Sequence, residues 1–531
     1  MVKLPTHRLG VLVALAACSS PGRPAPSRPR PVALTHVTLI DGNGGPPLPG
    51  MTVIVADGRI SRVGKDAKTV VPPGADTVNG TGKFLIPGLW DMHVHTSWDR
   101  HFTMPLMVAN GVTGVREMFG KDVPLILETR REITEGELIG PRIVTAGPIV
   151  DGPDPAWPGS LSAATPTEGR AAVARVQEQG ADFVKVYSSL SRETYFAIAA
   201  EARRREIPFA GHLPDAVSVI EASDSGQRSI EHLIGIELAA STDEANLRSR
   251  LTAATGLSAY LAEAARQQPR LLATFSPAKA DTLFGRLRRN RTWQTPTLTV
   301  LRVGSDPAAP ALSENPNLRY VPYALSGLWG IVRRMVAGDT SQARAALRRN
   351  EFDRQLEIVG RMYRDSVPLL VGTDEPNPYT IPGFSVHDEM GLMVKAGLTP
   401  MAALQAATRN PALFLGAQDS LGTIEPGKIA ELVLLDANPL EDIANTRRIA
   451  AVVRAGRFLA RPDLDRILAD VERSRWRPGA AAVILSGAIV HRIPGASLAA
   501  LIGIPLVVAL AFSLIRRRRR ARRVAPKTAG A

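Results

Sequence analysis

The chain has 531 residues, 45% of them apolar and 21% charged, a balance that supports a large packed core and excludes a mainly disordered protein. The formal net charge of +14 is not a nucleic-acid signature, because it sits at the ends. Residues 516–531 hold seven Arg and one Lys without an acid, residues 1–30 hold Lys3, Arg8, Arg23, Arg28 and Arg30, and the other 485 residues are left at +1.

The first segment, "MVKLPTHRLGVLVALAACSS", has a basic start and a short apolar run of signal-peptide length that ends in Leu15-Ala16-Ala17-Cys18. Residues 1–18 are therefore expected to be a lipoprotein-type signal, with Cys18 as the lipidation site. Cys18 is also the only cysteine in the chain, which excludes an internal disulfide and a thiolate metal site in the body. Residues 19–32, rich in Pro, read as an extended tether that packs no core.

Residues 33–83 read as short strands punctuated by Gly and Pro, such as "MTVIVADGRISRVG". A matching pattern returns at 416–460, in "LGTIEPGKIAELVLLD" and "RRIAAVVRAGRFLAR". Strands at both ends predict one small β-sandwich assembled from two chain segments. Between them, residues 84–415 alternate strand-like and helical runs, the signature of a parallel α/β sheet or barrel. Eight candidate strands can be counted: "GLWDMHVH", "VTGVREMF", "PRIVTAG", "ADFVKVY", "IPFAGH", "RSIEHL", "TWQTPTLTVL" and "VPLLVGTDE". Eight is the number that closes a (β/α)8, TIM-like barrel, whose chemistry sits at the C-terminal strand ends.

Beyond 460, residues 461–495 are expected to be a helical linker. Residues 496–515, "ASLAALIGIPLVVALAFSLI", form an uncharged run of bilayer-crossing length. The Arg-rich segment 516–531 behind it would stay in the cytoplasm by the positive-inside rule. A cleaved C-terminal sorting signal is the alternative. Together the ends predict a bacterial cell-envelope protein, membrane-anchored, with an extracytoplasmic catalytic domain.

The chemistry-bearing residues cluster at predicted strand ends. Side chains alternate along a strand, so His93 and His95 of "DMHVH" face the same way, as a metal-binding pair would. Lys185 lies late in "ADFVKVY", His212 ends "IPFAGH", His232 lies late in "SIEHL", and Asp374 follows "VPLLVG". Singly, each has a plain reading as a solvated lysine, a hydrogen-bonded histidine or a turn-capping aspartate. Six such residues at matching positions of one barrel point to a shared site.

The chain thus resembles the metal-dependent amidohydrolase superfamily, in its imidazolonepropionase-like and Xaa-Pro-dipeptidase-like branch. The resemblance spans residues 31–460 and rests on "PGLWDMHVH", "NGVTGVREM", "GPRIVTAG", "FVKVY", "GHLPD", "SIEHL", "GTDE" and "GTIEPGKIAELVLLDANPL". It implies a barrel with a sandwich built from both chain ends. It also implies two divalent metal ions, zinc being the expected one. His93, His95 and Asp374 would hold the first, and His212 and His232 the second. Lys185, carboxylated by carbon dioxide to a carbamate, would bridge the two. A metal-bridging hydroxide would attack a carbonyl, with Asp374 as the catalytic residue that carries its proton to the leaving nitrogen.

Tyr187, two residues after Lys185, is a candidate substrate-binding residue for a carbonyl or carboxylate. Arg116 in "TGVREM" is a candidate bidentate partner for a carboxylate, although related chains carry Arg-Asp where this one has Arg116-Glu117. His387 in "FSVHDEM" is a third candidate, and Ser385 with Asp388 reads equally as a capping box. Residues 302–345, including the aromatic-rich "NPNLRYVPYALSGLWGIVRRM", read as a lid, an apolar substrate wall or a packed helical insertion. The function expected is hydrolysis of a small peptide-like amide, of Xaa-Pro dipeptide or N-acyl amino acid type. A lactonase or phosphotriesterase, and a catalytically silent metal-binding surface protein, are the alternatives. Expected partners are that small substrate and membrane lipid, with a homo-oligomer left open and nucleic acid excluded.

Overall fold

In the computed structural model the described residues are 30–96, 99–254, 257–336 and 341–476. Both ends of this body meet in one eight-stranded sheet. Phe84–Pro87 is its junction, parallel to Val32–Leu39 on one side and antiparallel to Leu432–Leu435 on the other. Leu48–Ala56 and Arg59–Lys65 continue one flank, and Ile449–Arg454 and Arg457–Ala460 the other. In the first strand Leu34 and Val37 are both fully buried although three residues apart, which strict alternation would forbid. A register shift between them, with His36 in a left-handed conformation at φ 58°, turns both inward.

The expected two-layer sandwich is instead one continuous sheet that curls over its own core. Ile60 N donates to Lys428 O (2.8 Å) and Ala430 N to Gly58 O (2.9 Å), so the far edge meets the segment entering Leu432–Leu435. Leu34, Val53, Leu85, Leu432 and Val453 fill the space inside.

Seven further strands and one irregular stretch form a closed ring among the described residues. Leu89–Val94, Val112–Glu117 and Arg142–Thr145 pair in parallel, as do Val184–Val186, Phe209–Gly211, Ser229–Glu231 and Trp293–Thr295. Asp182 N donates to Thr145 O (2.9 Å), joining the two sets. The eighth position is the irregular stretch 368–371: Gln294 N donates to Pro368 O (3.0 Å), and Met92 N donates to Val371 O (2.8 Å). The helices between them start where the sequence supplies caps. Thr165 and Ser218 form capping boxes with Glu168 and Glu221, and the Asp122 side chain accepts from Leu125 N.

Two excursions shape the mouth of the ring. One carries the short paired strands Val150–Asp151 and Leu161–Ser162 after the third barrel strand. The other, between the seventh and eighth strands, contains helices Tyr323–Val336 and Gln342–Arg364. The helix Arg461–Ser474 is not a free linker: Val471 packs with Phe102, Leu106, Leu325 and Trp329 in one apolar cluster.

The expected transmembrane helix requires correction. Among the described residues no helix is long and apolar enough to cross a membrane. The longest of them, Gln342–Arg364 at 23 residues, carries Arg, Glu and Asp along its whole length. The run 496–515, the tail 516–531 and the signal with Cys18 lie outside the described residues. The expected membrane-anchored placement in the cell envelope is therefore not retained.

Candidate metal centre

The strand ends deliver the expected side chains to one place. His93, His95, Lys185, His212, His232 and Asp374 all line a single cavity of about 250 Å³. The rings of His93 and His232 are 4.5 Å apart, those of His212 and His232 5.0 Å, and those of His93 and His95 5.4 Å. One ligand atom each from His93, His232 and Asp374 lie within 4.8 Å of one another, a set that crosses the two metal shells implied by the resemblance. His95 adds Nε2 at 2.9 Å from Asp374 Oδ1.

Local backbone conformation helps to aim these groups. His232 and Asp374 adopt left-handed φ values of 60° and 58°, uncommon for residues with a Cβ and a form of strain that collects at functional sites. Gly211, beside Lys185 in the neighbouring strand, has no room for a side chain: a Cβ there would strike the Val186 carbonyl and the Lys185 stem.

Partners outside the cavity hold three of the imidazoles by Nδ1. His93 Nδ1 lies 2.8 Å from Glu231 Oε2, His212 Nδ1 3.0 Å from Ser188 Oγ, and His232 Nδ1 2.7 Å from Thr297 Oγ1. With Nδ1 engaged, each ring has Nε2 left for a ligand, the arrangement common to metal-binding histidines. Burial lowers His93, His212 and His232 from their ordinary value, and the nearby Lys185 charge adds to the effect, which favours the neutral ring that metal ligation requires.

His95 behaves differently. Burial would lower it, but the Asp374 and Glu117 carboxylates outweigh burial and bring it to about 9. Its Nδ1 faces that second carboxylate, 3.7 Å from Glu117 Oε1. Burial would raise Asp374, yet the surrounding imidazoles hold its carboxyl well below the usual range. Burial pushes the Lys185 amine down to about 8. A larger neutral fraction of that amine is what addition to carbon dioxide needs. Imidazoles, a carboxylate held low and an amine pushed down toward its neutral form are a donor set that fits divalent cations.

The comparisons with known proteins agree with this geometry. The model of the amidohydrolase family matches residues 84–459. The chain belongs to the amidohydrolase family. Among solved structures, bottromycin amidohydrolase superposes with a TM-score of 0.68 at 26% identity, covering 84% of this chain and 91% of that one. A Xaa-Pro dipeptidase with bound methionine has a TM-score of 0.57 at 20% identity over 81% of this chain and 100% of that one, a likeness of fold. Ochratoxinase of Aspergillus niger is 21% identical over 501 residues, covering 82% of this chain and 88% of that protein. Shorter stretches match adenine deaminases and imidazolonepropionases, of whose lengths this chain spans between 8% and 27%. For this amidohydrolase, then, the likeness over most of the chain is to prolidase-like and ochratoxinase-like members.

Two expected substrate residues lie elsewhere. Arg116 is fully buried inside the ring, bonded through Nε to Met92 O (2.6 Å), through Nη1 to Ser229 Oγ (2.8 Å) and through Nη2 to both Glu231 oxygens (2.9 Å). A guanidinium so fully engaged is an interior tie and does not reach substrate. His387 is buried on helix Phe384–Lys395, with Nδ1 2.9 Å from Thr446 Oγ1 and Nε2 3.1 Å from Asn110 O. The alternative capping box there does not form either, since Ser385 Oγ accepts from Ile381 N and Asp388 pairs with Arg447. Tyr187 does line the cavity, stacked on His212 at 4.0 Å, and its hydroxyl accepts from Trp157 Nε1 at 2.7 Å.

Sequence reasoning missed Glu231, one residue before His232, and Trp157 on the excursion after the third strand. Only the run Ser-Ile-Glu-His hinted at the first. Ser229 and Glu231, two apart in one strand, both reach Arg116 in the barrel interior, while the left-handed His232 just beyond them lines the cavity.

Proposed function

We propose that this amidohydrolase is a metal-dependent hydrolase that cleaves an amide bond in a small peptide-like molecule. It would use two divalent metal ions, zinc the expected one, with Lys185 as a carbamate bridge. The observation that carries the reading is the convergence of His93, His95, Lys185, His212, His232 and Asp374 on one cavity. Bound there, divalent ions supply Lewis acidity for a carbonyl oxygen and make water nucleophilic near neutral pH.

The chain's own groups do the rest. Asp374, held ionised, accepts a proton from the attacking water and returns it to the leaving nitrogen. Tyr187, whose hydroxyl accepts from Trp157, would bind the substrate carbonyl. Glu231, Ser188 and Thr297 are positioning residues that set the ring orientations of His93, His212 and His232.

The test is elemental analysis of the full chain made with bicarbonate, beside Lys185→Ala, together with a screen of dipeptides and N-acyl amides. About two metals per chain, falling to one or none in the variant, supports the bridged site. One metal in both proteins removes Lys185 from the ligand set. No hydrolysis of any amide by the metal-loaded chain defeats the reading.

A further inference from the structure

The cavity is divided by chemistry. Its metal-facing floor is polar, whereas its wall is apolar and comes mainly from helix Tyr323–Val336. Leu325, Leu328, Trp329 and Val332 recur at helical spacing, so one face of that helix looks into the cavity. Phe119 and Ile149 extend the apolar surface. The wall is braced from behind: Leu325 and Trp329 share a cluster with Phe102 of the first barrel helix, Arg100–Ala109, and Val471 of helix Arg461–Ser474.

Among the described lining residues Lys185 is the one ammonium, and none carries a guanidinium. Arg116, the nearest candidate in the sequence, is sequestered on Glu231. The polar lining groups outside the ligand set are neutral. Tyr187 and Trp157 bond to one another, and Asn377 Nδ2 donates to Asp374 O at 2.6 Å. A carboxylate turned from the metal-facing floor onto this wall would lose its water without gaining a cation from Leu325, Leu328, Trp329 or Val332, which is costly. An aromatic or branched apolar group would gain from the same burial.

Resting on the amide-hydrolase reading, we propose that the site selects peptide-like amides with an aromatic or branched apolar group and no ionised carboxylate next to the scissile bond, as in capped or cyclic peptides. Helix Tyr323–Val336 is the element that makes the selection.

The experiment compares N-benzoyl-2-phenylethylamine with N-benzoylphenylalanine, which differ only in the carboxylate, on the metal-loaded full chain, with benzoate release as the readout. N-acetylmethylamine, assayed by release of the amine, carries neither an aromatic nor a branched apolar group and tests the need for one. The expected result is a kcat/KM at least about tenfold higher for the uncharged benzoyl amide than for either comparator. Val332→Arg, which adds a cation to the wall, should shift the ratio toward the carboxylate by about tenfold. Equal or greater use of N-benzoylphenylalanine by the unaltered chain overturns the inference while leaving amide hydrolysis intact, whether or not the variant folds. A silent panel that includes dipeptides defeats the underlying reading and this inference with it.

Discussion

Glu231 grips His93 and Arg116 at once: its Oε2 lies 2.8 Å from His93 Nδ1, and both of its oxygens lie 2.9 Å from Arg116 Nη2. A metal-facing histidine is thereby fastened to an ion pair in the barrel interior. Glu231→Gln keeps the shape and removes the charge, so His93 loses its orientation and basicity. Metal affinity should fall by about 10- to 100-fold, read by competition with a chelator. Unchanged affinity would show that His93 does not depend on this carboxylate.

The same pair predicts the behaviour of Arg116. Removing one partner of a fully buried ion pair strands the other, so Arg116→Ala should cost about 3–5 kcal/mol of unfolding free energy in urea titration. The Arg116→Met, Glu231→Gln double variant should lose less than the sum of the singles, because neither charge is left alone. A rise in KM confined to carboxylate-bearing substrates, without loss of stability, would instead restore Arg116 to substrate binding.

His387 should make the protein acid-sensitive. Burial, with Arg447 adding repulsion, lowers it from its ordinary 6.5 to about 3. Between those values the unfolded chain takes up a proton that the folded chain refuses, so this contribution is complete above pH 6.5 and is lost as pH falls toward 3. The loss is roughly 1.4 kcal/mol per pH unit while the window lasts. His387→Gln should therefore be less stable than the parent at pH 7, with the difference shrinking as the pH drops to 4. Parallel melting curves at every pH would contradict this.

Helix Arg461–Ser474 is structural. Leu464 is fully buried against the main core, so Leu464→Ala should cost about 2–5 kcal/mol. Because Val471 of the same helix braces Trp329, trypsin should cut within Arg461–Ser474 sooner in the variant than in the parent. Equal cleavage rates would mean that the helix detaches independently of its packing.

Much of this molecule is local chemistry and was legible as such. Capping boxes at Thr165 and Ser218, the alternation that puts His93 and His95 on one face, and the strand–helix rhythm depend on neighbours a few residues apart. The same holds for the eight strand segments and for the six His, Lys and Asp residues near the ends of five of them. What depends on distant neighbours was not legible. Arg116 looked like a substrate residue because its partner, Glu231, lies 115 positions away, and only barrel closure brings the two together. His387 looked reachable because nothing in "FSVHDEM" says which helix face meets Thr446 and Asn110. The helix after residue 460 read as a linker because its apolar residues find their partners on the first barrel helix. The sequence by itself determined which elements form and which chemistry they carry, since those follow from periodicity and residue type. The tertiary structure alone decided which polar groups are neutralised inside the ring and which face the cavity, because burial and pairing are properties of the closed barrel.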